Sequence, residues 1–217
     1  MRNAPLFFLG LFVALTLSWA GTVLFADHQL GALAPYIDDS DPVNPSYPPQ
    51  QPGIAARGQL VYADLGCASC HTQAVRRPDF GSDQARGWGD RQSVARDYIY
   101  QTRVQLGAER LGPDLTNLAG RKPSALDASN LMKLLHAGQG AMPAYKFLFD
   151  ERAIVGEPAD SRLMLVGRLA PAAGREIVPT ERARSLVAFL LSLNNTFEYP
   201  EARPVAPEAP KKEEGKK

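Results

Sequence analysis

The sequence predicts a mainly α-helical domain carried on a single N-terminal membrane helix and followed by a disordered tail. Three observations predict it. A charge-free apolar run occupies Pro5 to Ala26, helix-patterned segments recur between Gly53 and Tyr199, and Glu201 to Lys217 is dominated by Pro, Ala, Glu and Lys. The chain has 217 residues and a formal net charge of +1, which removes the basic footprint of a nucleic-acid-binding protein.

The apolar run comes first. It is 22 residues long, and at about 1.5 Å per residue a helix of that length crosses the roughly 30 Å hydrocarbon core of a bilayer. Arg2 precedes it, and Asp27, Asp38, Asp39 and Asp41 follow it. That asymmetry keeps the N-terminus in the cytoplasm and puts the remainder outside. Trp19 and Phe25 lie toward the outer end, where aromatic rings anchor at the interface. Ser18-Trp19-Ala20 offers a competing reading, a cleaved signal peptide. The run continues past that point and is longer than a usual signal core, so the segment reads as a retained anchor over 1–27. Either reading exports the rest of the chain.

Residues 28–52 include Pro35 to Pro52, a stretch rich in Pro, Asp, Ser and Gln without apolar period, and read as an extended linker. The domain proper is expected over 53–200, with the tail at 201–217. Its first helix spans Ile54 to Leu65, with Leu60, Val61 and Leu65 on one apolar side. A second is expected over Arg91 to Leu106, with Val94, Tyr98, Ile99 and Val104 roughly aligned. A third runs from Asp127 to Ala137, capped by Ser124 or Asp127 and stopped by Gly138. The last spans Pro179 to Asn194, with Thr180 as N-cap and a stripe of Leu186, Val187, Leu190, Leu191 and Leu193. The stretch from Asp150 to Val178 follows no pattern that places it.

The chemistry lies at the end of the first domain helix, in Cys67-Ala68-Ser69-Cys70-His71. Cys-x-x-Cys-His is the attachment pattern of a c-type haem. Two thiols form thioethers with the haem vinyl groups, and the adjacent histidine becomes an axial ligand. Other uses of the pattern fail. A thioredoxin-like pair needs a βαβ setting and no following histidine. A structural zinc site needs four ligands, and Cys67, Cys70 and His71 leave one place unfilled while His28 and His136 are isolated. A disulfide across two intervening residues would be strained.

One axial position remains. Met142 stands in the short Gly140-Ala141-Met142-Pro143-Ala144-Tyr145 loop, which can carry a thioether to the open haem face. His136 is the alternative, while Met132 and Met164 read as core. His/Met ligation raises the reduction potential and leaves no place for a substrate, so such a haem moves electrons. A carbonyl in Leu111-Gly112-Pro113-Asp114-Leu115, where proline fixes the backbone, is suited to accept from the other ring nitrogen of His71. Arg76, Arg77, Trp88, Arg110 and Arg121 are candidates to meet the haem propionates, each with ordinary surface placement as its competing explanation.

With these residues in view the chain resembles class I c-type cytochromes and, more narrowly, the membrane-anchored monohaem subunit II of cbb3-type cytochrome c oxidases. The matching blocks are Gly66 to Gln73, Gly112-Pro113-Asp114-Leu115 with Gly120-Arg121, Met142-Pro143-Ala144-Tyr145-Lys146-Phe147-Leu148, and Leu186 to Leu193. The resemblance implies one covalent haem c, held by Cys67 and Cys70 and ligated by His71 and Met142, with Pro113 supporting His71. It further implies electron delivery to a catalytic haem-copper subunit that reduces oxygen and pumps protons, so the chain itself holds no catalytic site. The implied partners are that subunit, a further c-type cytochrome as donor, and membrane lipid. The implied location is the cytoplasmic (inner) membrane, single-pass, with the haem domain in the periplasm. Competing functions are the monohaem subunit of a nitric oxide reductase or a periplasmic dehydrogenase, a free-standing anchored cytochrome, and a haem sensor, which needs an open or labile sixth position.

Overall fold

The computed structural model describes residues 3–43, 45–121 and 126–203. Arg2, Ser124 and the expected tail from 204 onward lie outside the described residues. The chain divides into two compact units, Met1–Pro48 with Ala95–Thr102, and Pro49–Val94 with Arg103–Lys217.

The first unit contains the expected anchor. Helix α1 (Ala4–Trp19), a π-turn (Ala20–Leu24) and helix α2 (Phe25–Leu30) run on as one 27-residue helix, long and apolar enough to cross a membrane. It extends three residues beyond the expected boundary at 27. None of its side chains is buried, and Leu6, Phe12, Leu17, Trp19 and Phe25 stand exposed around it. A helix that is apolar all round has no side suited to water. Its hydroxyls are satisfied without solvent: Thr16 Oγ1 donates to Phe12 O and Thr22 Oγ1 to Ser18 O, each at 2.8 Å. That matters in hydrocarbon, where an unmet polar group costs several kcal/mol.

The expected linker is more structured than its composition suggests. Strand β1 (Tyr36–Ile37) pairs antiparallel with β2 (Ser46–Tyr47). The aspartates that gave the segment its linker character make the turn. Asp38 Oδ1 accepts from the Ser40 N–H at 3.0 Å, Asp41 Oδ1 from the Val43 N–H at 2.9 Å, and Asp41 Oδ2 from the Tyr47 hydroxyl at 2.7 Å.

The second unit is built on helices α3 (Gly53–Asp64), α4 (Ala128–Ala137) and α5 (Glu181–Ser192). Asp127 caps α4 by accepting from the Asn130 N–H at 2.7 Å, and Thr180 caps α5 by accepting from the Ala183 N–H at 3.3 Å. Gly138, at φ +71°, ends α4 where expected. The buried face of α3 is centred on Ala55, Gly58 and Tyr62; of the expected apolar side, Val61 and Leu65 pack partly buried against the core, while Leu60 is 72% exposed. The reason is the crossing with α5. At Gly58 a Cβ would overlap the Ser185 backbone carbonyl, so only glycine allows the two helices to approach this closely. Tyr62 then packs against Phe189 with ring centroids 5.3 Å apart. Leu186, Val187, Leu190 and Leu193 bury as expected and join Leu131, Leu135 and Leu148 in one core.

The expected helix over Arg91–Leu106 does not form, and Ala95–Tyr98 makes a single 3₁₀ turn. Backbone groups toward its ends bond elsewhere, the Ser93 N–H to Val75 O and Leu106 O to the Gln73 N–H, each at 2.9 Å. Tertiary pairing at those points replaces the helical ladder. The unplaced stretch forms a hairpin, β3 (Phe149–Ala153) against β4 (Arg175–Pro179), with Phe149 opposite Pro179 and Ala153 opposite Arg175. Phe149, Ile177 and Val178 turn into the core, and Arg152–Glu176 and Arg175–Glu151 pair across the strands. A 3₁₀ turn at Pro200–Ala202 buries Ala202 beside a buried Tyr199, so ordered packing continues past the expected start of the tail at 201.

Candidate haem site

The α3 helix delivers the motif. The chain leaves the helix at Gly66, and Cys67–Ser69 make one 3₁₀ turn. The His71 N–H donates to Cys67 O at 3.0 Å, which sets the histidine directly after the two thiols. A second segment, Leu106 to Thr116, lies along this turn and is tied to it by backbone bonds. The Ala108 N–H donates to Ala68 O, the Gly112 N–H to Cys70 O, and the Leu115 N–H to Thr72 O, at 2.9, 2.9 and 2.7 Å.

That second segment orients the imidazole. His71 Nδ1 lies 2.8 Å from Pro113 O, so Nδ1 carries the proton and donates while Nε2 is left free to ligate. Gly112 packs against the ring itself, and a Cβ there would overlap His71 Cε1. Proline at 113 has no N–H to compete for the bond and fixes the chain that carries the acceptor.

The methionine loop converges on the same place. It is pinned by an isolated bridge between Gln139 and Met142 and by the Tyr145 N–H donating to Leu135 O at 2.8 Å. Met142 is half-buried and packs against the core together with Cys67 and Ala68. Tyr145, three residues on, packs against the same core as Met142 and Cys67. Burial pushes the Cys67 thiol up to about 11, so it stays protonated at neutral pH. Tyr145 is likewise raised, first by burial and then by the two cysteines.

The other expected site residues separate. Arg121 is half-buried, its Nε and Nη2 have no partner among the described residues, and burial lowers its pKa. Buried guanidinium donors left unmet among the described residues suit an anionic partner. Arg110 faces protein groups instead: it donates to Ala74 O at 2.6 Å and pairs with Asp83 and Asp114. Arg76 also pairs with Asp83, Arg77 with Asp79, and Trp88 lies under the Arg86 and Arg110 guanidinium groups. His136 is buried on α4 and packs edge-on to Phe149 at 5.2 Å, its pKa lowered by burial and by Lys146. Met132 packs against the core as expected, whereas Met164, also expected there, is 62% exposed because the β3–β4 connection carries it outward.

Four residues escaped the sequence reading: Thr72, Asp83, Asp114 and Tyr145. Thr72 Oγ1 donates to Asp114 Oδ2 at 2.7 Å, and Asp83 is fully buried. Tyr145 and Asp114 stood in quoted blocks without a role, and their neighbours across the fold supply it. Asp83 carried no signal, since nothing in its local pattern marks a buried carboxylate. The residues present fit a covalently bound haem: two thiols, an imidazole with a fixed tautomer, a thioether loop beside them, and an unmet cation.

The protein family described as cytochrome C oxidase, mono-heme subunit/FixO matches residues 7–166. The match takes in the apolar helix, the Cys-x-x-Cys-His turn and the Met142 loop, and stops before α5. No curated protein sequence matches the chain.

Proposed function

This chain belongs to the FixO family of mono-haem cytochrome c oxidase subunits, and from that premise we propose that it is a membrane-anchored electron relay carrying one haem c outside the cytoplasmic membrane. In this reading Cys67 and Cys70 hold the haem by thioethers, His71 and Met142 are its axial ligands, and Arg121 meets a propionate. The relay serves the catalytic haem-copper subunit, where oxygen is reduced and protons are translocated, and takes its electrons from another c-type cytochrome. The observation that carries the reading is the His71 Nδ1–Pro113 O contact at 2.8 Å, which fixes the imidazole directly after the two thiols through an acceptor 42 residues away.

When bound, the haem supplies a one-electron iron couple. The chain does the rest. Cys67 and Cys70 would hold it through thioethers. Pro113 O holds the Nδ1 proton of His71, which keeps Nε2 basic and available to ligate. Met142 on its pinned loop would supply the second protein ligand and leave no place for oxygen or water. The apolar helix holds the domain at the bilayer, and Asp27, Asp38, Asp39 and Asp41 on its C-terminal side, against Arg2 before it, support an exported haem domain.

Met142→Ala tests the reading in the purified complex. The variant loses the ferric Met-to-iron charge-transfer band and the complex loses most of its oxygen uptake, while covalent haem staining of the chain persists. An unchanged ferric spectrum removes Met142 as ligand. Purification of this chain without a haem-copper subunit removes the oxidase assignment.

A further inference from the structure

A buried charge cluster that ligation does not use joins the residues following His71 to those around Pro113. Asp83 is fully buried and 12 positions beyond His71 in sequence. Its Oδ2 accepts the Arg76 N–H at 2.8 Å and Arg76 Nε at 3.2 Å, and its Oδ1 takes Arg76 Nη2 at 2.9 Å and an ion pair with Arg110 Nη1. Arg110 in turn donates through Nη2 to Ala74 O at 2.6 Å and lies 3.8 Å from Asp114 Oδ2. Asp114, also fully buried, accepts from Thr72 Oγ1 at 2.7 Å, from the Ala74 N–H at 2.8 Å and, through Oδ1, from the Thr116 N–H at 2.9 Å.

These bonds join two segments. One is 72–76, which follows directly on His71. The other is 110–116, which carries Pro113 O. The backbone also joins them through the Leu115 N–H donating to Thr72 O at 2.7 Å, and every side-chain cross-link in this cluster runs through Asp83, Arg110 or Asp114. We infer that Asp83 is a positioning residue for the haem ligand: by holding Arg110 it fixes the segment bearing Pro113 O, and so sets the Nδ1 hydrogen bond that tunes His71. This inference rests on the haem reading given above.

The chemistry gives the sign. Burial pushes the Asp83 carboxyl up, but the hydrogen bonds from the Arg76 and Arg110 side chains and the Arg76 N–H outweigh it and hold the group well below the usual carboxylate range. The group is therefore an anion at neutral pH. A firm bond from Nδ1 to Pro113 O gives the imidazole partial imidazolate character, which favours ferric iron. Loosening that bond raises the midpoint potential. Removing the carboxylate also leaves Arg110 with only the longer contact to Asp114 at 3.8 Å, and the less compensated cation disfavours ferric iron in the same direction.

The test uses the detergent-purified complex and reads the midpoint potential of the haem c together with the ferric charge-transfer band. Covalent haem in the unaltered chain is measured first, and its absence ends the haem reading rather than this inference. Asp83→Asn then raises the midpoint and broadens the band, with haem still attached. Arg110→Lys separates positioning from charge: it keeps the cation but loses the planar fork that reaches Asp83 and Ala74 O together. A raised midpoint in Arg110→Lys supports positioning, and an unchanged midpoint there overturns it, also where Asp83→Asn fails to take up haem. Asp79→Asn is the control. It removes a charge from the same stretch of chain at an exposed ion pair, and it leaves the midpoint where it was.

Discussion

The N-terminal helix and α5 are both rich in Leu, Val and Phe, yet they bury opposite amounts of surface. No residue between Ala4 and Leu30 is buried. In α5, Ala183, Ser185, Leu186, Val187, Phe189 and Leu190 are buried, while charged residues such as Glu181, Arg182 and Arg184 cap and flank the exposed side. The difference lies in periodicity rather than in content. An apolar stripe at helical spacing meets a protein core, whereas apolar residues on every side need a solvent that is itself apolar. Stability follows the same division. The second unit is held by side-chain packing around the α3–α5 crossing, and the anchor by transfer into lipid.

Substitutions on the two helices separate these terms. Gly58→Ala has the largest effect. The new Cβ meets the Ser185 carbonyl, α3 and α5 cannot close, and the domain loses about 3 kcal/mol or more. Haem staining of the chain falls steeply, and the chain still sediments with membranes. Leu15→Arg breaks the other side of the comparison. A charge near the middle of the spanning helix costs about 3 kcal/mol of insertion, read as loss of the carbonate-resistant membrane fraction. Thr180→Ala removes the α5 cap and costs about 1 kcal/mol in urea unfolding of the second unit, with the anchor unaffected. Leu60→Gln has the smallest effect, within about 0.5 kcal/mol, because that side chain is exposed on α3. A loss of several kcal/mol there would mean that the face expected from sequence, rather than the observed one, meets the core.

Local signals carried much of the fold into view. The Thr180 and Asp127 caps, the Gly138 stop and the α5 stripe act within a few residues, and all were readable in order along the chain. The failures share a cause. At Arg91–Leu106 and around Pro35–Pro52 the outcome depended on partners distant in sequence or on side chains bonding back to the backbone. The first became a 3₁₀ turn and the second a small hairpin. The β3–β4 hairpin could not be placed because its two strands are separated by a connection without pattern of its own.

The sequence by itself determined the chemistry that adjacent residues complete: the thiol pair with its histidine, the spanning helix, and the helix ends. The tertiary structure decided what needs two distant segments to meet. It brought Pro113 O to His71, Tyr145 and Met142 to the core that Cys67 packs on, and Asp83 to Arg110, and left Arg121 with donors unmet among the described residues. The physical reason is range. Propensity and patterning act over one or two turns, whereas a buried hydrogen bond or charge finds its partner only once the core has brought the segments together.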